Sequence, residues 1–72
     1  MERYTDTISG EELYTNTNKY GDKSYYKDRE MNILHRHDGP AIEGANKSKT
    51  WYVNNVNIMM LDKDGKIIRR ME

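Results

Sequence analysis

The densest cluster of chemically versatile side chains in this sequence is His35-Arg36-His37-Asp38. On an extended strand, residues two apart project from one face, so His35 and His37 would present two imidazoles side by side, with Asp38 able to add a carboxylate oxygen. That spacing occurs in metal sites. The plainer reading makes the same residues a structural signature, with Asp38 accepting hydrogen bonds from a turn backbone as Asx residues commonly do. The plainer reading is adopted, and no metal or cofactor is expected.

Other chemistry has less to work with. Nucleophilic catalysis needs a cysteine, or a serine held against a general base. The chain has no cysteine, and Ser9, Ser24 and Ser48 sit in turns or at strand starts with no Gly-x-Ser-x-Gly setting. The carboxylate pairs Glu11-Glu12 and Asp62/Asp64 lie beside turns, where solvation is their usual role, and there is no Gly-rich phosphate loop. An enzyme is not expected. Tyr26, Tyr52, Lys27 and Lys49 set aromatic rings beside basic groups, as single-strand nucleic-acid binders do. Twelve basic residues balance twelve acidic ones, however, so no net field draws the chain toward nucleic acid or an anionic membrane.

The elements that must position these residues belong to a small domain. Seventy-two residues make one unit, 1–72. At that size a core rarely supplies more than about 3–5 kcal/mol without a disulfide or structural metal. The absence of cysteine excludes the first, and two histidines alone cannot build the second. Apolar residues are 35 % of the chain, with no Phe, and a third of the residues are charged, so a partner or a second copy is expected to contribute stability. The longest uncharged apolar run, Ile58–Leu61, is far short of a membrane span, and Met1-Glu2-Arg3-Tyr4 lacks the apolar stretch of a signal peptide. A cytoplasmic location is expected.

Two blocks repeat at one offset of about 26 residues. Lys23-Ser24-Tyr25-Tyr26 aligns with Lys49-Thr50-Trp51-Tyr52, and Leu34–Ile42 aligns with Met60–Ile68; Ile8–Leu13 has the same apolar, turn, polar, apolar order. Asp38-Gly39 and Asp64-Gly65 tolerate the positive φ of hairpin turns, and Asn54-Asn55 separates two β-prone runs, Lys49–Val53 and Val56–Leu61. No window keeps a helical apolar period for three turns. The fold expected is all-β: an antiparallel meander of repeated β-hairpins, with Pro40 at a strand start or edge where it costs no ladder bond.

Period-two alternation assigns faces. Trp51, Val53 and Tyr25 point inward in this reading, and Trp51→Ala should cost roughly 3–5 kcal/mol as a buried aromatic deletion. Placing Met60 in the core with Trp51 leaves Tyr26, Ile33, Tyr52, Met59 and Leu61 on the opposite face. An antiparallel sheet normally keeps one face for water, so this second apolar face calls for cover. These five residues are the candidate partner-binding set. Met59-Met60 offers adaptable contacts, and Arg69-Arg70 read as edge charges that block aggregation.

Leu34–Ala41 followed by Trp51-Tyr52-Val53-Asn54-Asn55 resembles a short repeat of uncharacterised phage, bacterial and large-virus proteins. Its consensus is Leu-His-Arg-Glu-Asp-Gly-Pro-Ala, then Trp-Tyr-x-Asn-Gly, similar in style to MORN-like hairpin repeats. Here His37 replaces the acidic residue and Asn55 the glycine, and the second copy keeps only Asp64-Gly65. The resemblance covers residues 23–56 and implies a β-hairpin fold and a phage or mobile-element origin, with no catalytic residue to carry over. The expectation is a small non-enzymatic protein-binding module: a phage-encoded inhibitor occluding a host or defence protein in the host cytoplasm. The alternatives are a self-assembling structural protein and a single-stranded nucleic-acid binder.

Overall fold

The computed structural model describes residues 2–70, and the side chains of residues 3–69. The edge role expected of the Arg70 side chain therefore lies outside the described residues. Seven strands follow one another: β1 (Glu2–Thr5), β2 (Glu12–Thr17), β3 (Lys23–Tyr26), β4 (Ile42–Glu43), β5 (Lys49–Val53), β6 (Val56–Leu61) and β7 (Ile67–Arg70). They form one sheet in sequence order, every neighbouring pair antiparallel. No helix occurs among the described residues. The all-β meander follows from the sequence: short β-prone runs are punctuated by turn chemistry that leaves each strand nowhere to go but back.

The turns share a physical plan. Asn18 and Asp62 each open one, taking into the side-chain oxygen the N–H groups two and four residues on. Gly21 and Gly65 then occupy the left-handed region, at φ 90° and 83°. Asn54 and Asn55 are both left-handed, at φ 49° and 67°, which is the two-residue type I′ geometry whose twist suits a hairpin. One expected turn is absent. Asp38-Gly39 makes no hairpin: Gly39 lies outside the left-handed region, and in the long connection between β3 and β4 Leu34 bridges Tyr26 before the chain bends at 37–39. Met60–Ile68, the aligned counterpart of Leu34–Ile42, is strand, turn and strand, so the two blocks do not share a conformation. Pro40 is accordingly neither at a strand start nor on an edge; it is buried in that connection, two residues ahead of β4.

Residues opposed across an antiparallel pair point to the same face. Tyr4↔Leu13, Thr15↔Tyr25, Lys23↔Glu43, Glu43↔Lys49, Trp51↔Met59 and Leu61↔Ile67 therefore trace one face from β1 to β7. Over the first half of this face lies the 27–41 connection. It is anchored by backbone bonds from His35 N–H to Tyr25 O and from Tyr25 N–H to Ala41 O, and reaches β5 through Arg36 N–H to Tyr52 O. Leu13, Tyr25, Asp6 and Thr15 are buried against it, and His35, Pro40 and Ala41 are buried within it. Over the second half there is no such connection among the described residues, and from Ile42 to Arg69 no residue is buried. Trp51 is half-buried there, which corrects its expected place in the core.

Candidate functional site

His35, Arg36 and Asp38 fold into a polar core, with His37 exposed at its rim. The Arg36 guanidinium carbon sits 4.1 Å from the Tyr25 ring centre and 4.8 Å from that of Tyr4, so the cation lies against both of these touching rings. Its Nε donates to Asp38 Oδ1 at 2.6 Å and its Nη1 to the Pro40 carbonyl at 3.1 Å. Asp38 Oδ2 accepts from the Tyr4 hydroxyl, from Thr7 N–H at 2.9 Å and from the Thr7 hydroxyl at 2.8 Å. Burial pushes the Asp38 carboxyl up, but the Thr7 backbone, Tyr4 and Arg36 outweigh it and hold the group well below the usual carboxylate range. Gly39 lets this happen: a Cβ there would lie 2.9 Å from Arg36 Cζ.

A second buried carboxylate completes the core. Asp6 is fully inaccessible and receives four backbone N–H groups. Ile8 and Ser9 of its own turn donate to Oδ1, and His37 and Asp38 donate to Oδ2 at 2.6 and 3.2 Å. Its pKa is lowered despite a burial penalty, because each donor favours the charged form. Asp6 and Asp38 thus grip each other's loops, tying the β1–β2 turn to the 35–40 segment. Tyr25 donates to Glu43 Oε1 at 3.0 Å, and burial, followed by that bond, pushes its phenol up to about 12.

The imidazoles do meet, around Glu11 and not Asp38. Ligand atoms of Glu11, His35 and His37 lie within 4.8 Å of one another. The hydrogen bonds around His35 settle what the group can do. Asn54 N–H donates to His35 Nδ1 at 2.9 Å, so Nδ1 has no proton and Nε2 must carry it. Nε2 donates it to Glu11 Oε1 at 2.9 Å. Metal bonding through Nε2 would require the proton on Nδ1, where it would face the Asn54 N–H. The cluster is therefore a structural relay, joining the end of the β1–β2 turn to the β5–β6 turn across a buried ring.

The five residues expected on a partner-binding face are all half-buried, but they do not share a face. Tyr26 pairs with Tyr14, on the side opposite Tyr25, and Tyr52 pairs with Asn57 on that same side. Met59 pairs with Trp51 and Leu61 with Lys49, which places both on the Tyr25 side. Ile33 lies in the 27–41 connection, its N–H donated to Asp28 Oδ1. The cause is a bulge. A plain two-residue hairpin closing on Val53↔Val56 would oppose Trp51 to Ile58, but the register shifts between Trp51 and Tyr52 so that Ile58 is passed over. One extra residue reverses the parity of everything beyond it. Met60, expected beside Trp51, opposes Thr50 on the other face.

The Trp51 side of the C-terminal half consequently gathers Trp51, Met59, Leu61 and Ile67 in a continuous apolar stripe. Ile67 and Ile68 are 53 % and 60 % exposed on the outermost strand. At one end of the stripe is a hollow of about 360 Å³, lined by Leu61 with Lys47, Lys49, Lys63 and the Asp62–Gly65 turn. Sequence reasoning missed Tyr4, Asp6 and Glu11 as partners of the histidine cluster, since nothing in their spacing reports contacts about thirty residues away. It also missed Ile67 and Ile68, although two apolar residues on the last strand were in plain view. No protein-family model, curated protein or solved structure matches the chain.

Proposed function

We propose that this chain is a small non-enzymatic protein-binding module whose C-terminal sheet, β4 to β7, captures a partner protein. The observation that carries the reading is the absence of any buried residue from Ile42 to Arg69, in a stretch that contains Trp51, Tyr52, Val53, Ile58, Met59, Met60, Leu61, Ile67 and Ile68. Apolar area left half in water on this scale is characteristic of a surface that another body covers. The N-terminal half, pinned by Arg36, Asp6 and Asp38, holds the sheet in shape without drawing on that surface. The hairpin-signature resemblance adds the finer reading: a phage-encoded inhibitor that occludes a surface of a host or defence protein in the host cytoplasm. Homo-oligomer formation is the second reading, favoured by the open edges at β1 and β7.

The test is capture of partners from a candidate host lysate by the wild-type chain and by Met59→Ser, with mass spectrometry. The reading predicts a protein recovered by the wild type and lost with Met59→Ser while circular dichroism is unchanged. Equal recovery by both would refute it. Sedimentation across a range of concentrations separates the readings, because a monomer at high concentration removes self-assembly.

A further inference from the structure

The outermost strand specifies the chemistry of its occupant. β7 pairs only with β6, so one row of its backbone N–H and C=O groups faces outward, ready for another strand. The two sides of that edge differ. Ile67 opposes Leu61 and so extends the Trp51–Met59–Leu61 stripe, whereas Arg69 opposes Met60 and belongs to the other face. Lys66, adjacent to Ile67, flanks the same edge. Neither Lys66 nor Arg69 takes part in any described ion pair. On β1, the opposite edge of the sheet, Arg3 is held by Glu12 at 2.9 Å. Among the described side chains, β7 therefore sets Ile67 on one side and two cations without a described ion-pair partner on the other, while Arg70 opposes Met59 at its end.

Resting on the reading that the C-terminal sheet binds a protein, we propose that its occupant is an extended segment of a partner, added as an eighth strand along β7, with apolar and acidic residues in alternation. The apolar side chains continue the Ile67 stripe, and the carboxylates lie beside Arg69 and Lys66 on the other face. Charge decides against β7 pairing with a second copy of itself. Such an edge would bring Arg69 and Lys66 up against their own counterparts with no carboxylate on either strand. An acidic strand removes that repulsion, and like-charge exclusion of other strands supplies selectivity.

The experiment uses the full chain, isotopically labelled, titrated with an alternating valine-glutamate octapeptide and followed by amide chemical shifts and hydrogen exchange. Shifts concentrated in β7, with slowed exchange of its outward amides, are expected. An alternating valine-lysine octapeptide should bind roughly tenfold or more weakly. Arg69→Glu, at an exposed position outside the polar core, should invert that order. Equal binding of the two peptides, shifts centred away from β7, or no shifts at millimolar peptide would overturn the proposal. So would shifts that depend on protein concentration without peptide, since they would give the edge to a second copy. A lysate partner lost with Met59→Ser but retained by Arg69→Glu would leave the binding reading standing and remove the strand addition alone.

Discussion

The two halves of this sheet divide polar and apolar residues the wrong way round. The half that is well packed buries Asp6, Thr15 and His35 alongside Leu13, Tyr25, Pro40 and Ala41. In the half rich in Trp, Met, Ile and Leu no described residue is buried as a whole. The difference lies in the cover. Residues 27–41 return across the first half and bring their own partners for every buried charge, so the desolvation cost of Arg36, Asp38 and Asp6 is offset by paired, oriented donors and acceptors. The second half has turns too tight to return any chain over it. In a domain this small, the length of one connection decides which half has a core.

The contrast can be broken most forcefully with acid. Asp6 and Asp38 have folded pKa values below the unfolded value of about 3.9, so the stability they contribute is present above that pH and is lost as pH falls toward their folded values. Tyr25 works in the opposite sense. Its phenol is raised to about 12 against an unfolded value of about 10, so its contribution is present below pH about 10 and disappears as pH rises from there. Urea midpoints measured against pH should give a plateau between roughly 4 and 10 with a fall on each side. A flat profile to pH 2 would mean that the polar core contributes little.

Asp6→Asn keeps the shape and removes the charge. Its amide nitrogen must face two of the four donated N–H groups, leaving buried donors unmatched at about 1–3 kcal/mol each. That is comparable with the whole stability of a domain this size, so the variant should be largely unfolded by circular dichroism. Leu13→Ala and Trp51→Ala then compare the halves directly. Leu13 is fully buried, and its truncation should cost about 2–5 kcal/mol. Trp51, larger but half-buried, should cost only about 1–2 kcal/mol in the free chain. A reversed order would show that the C-terminal half has a core after all. The smallest effect, and the one of opposite sign, is Asn57→Val. Both amide atoms of Asn57 are buried without a partner. An apolar β-branched replacement should therefore raise stability by about 1 kcal/mol, read as a shift in thermal midpoint.

Strand chemistry was legible because it is local. Asn54-Asn55, the turn around Asp64-Gly65, and the β-branched runs beside them report their conformation through neighbours a few residues away. Asp38-Gly39 misled because the dipeptide permits a hairpin without requiring one. Arg36, two residues away, claimed its side chain, and Asp6, far off in sequence, claimed its backbone for the core. The Trp51 face was misassigned for a different reason. Alternation assumes an uninterrupted ladder, and Ile58-Met59-Met60-Leu61 is apolar at both parities, so hydrophobicity gives no sign of where a residue is skipped. The partners of the buried histidine, Glu11 and Asn54, lie beyond local reading.

The skipped residue at Ile58 also changes what counts as a small mutation. Deleting it would preserve Trp51↔Met59, Thr50↔Met60 and Lys49↔Leu61 and simply straighten β6, whereas inserting one residue after it would exchange the contents of the two faces as far as β7. For a surface of this kind, recognition can be rewritten by a change in chain length that leaves composition almost untouched. Two chains that differ by one residue in β6 then present more different surfaces than two that differ at several positions along it.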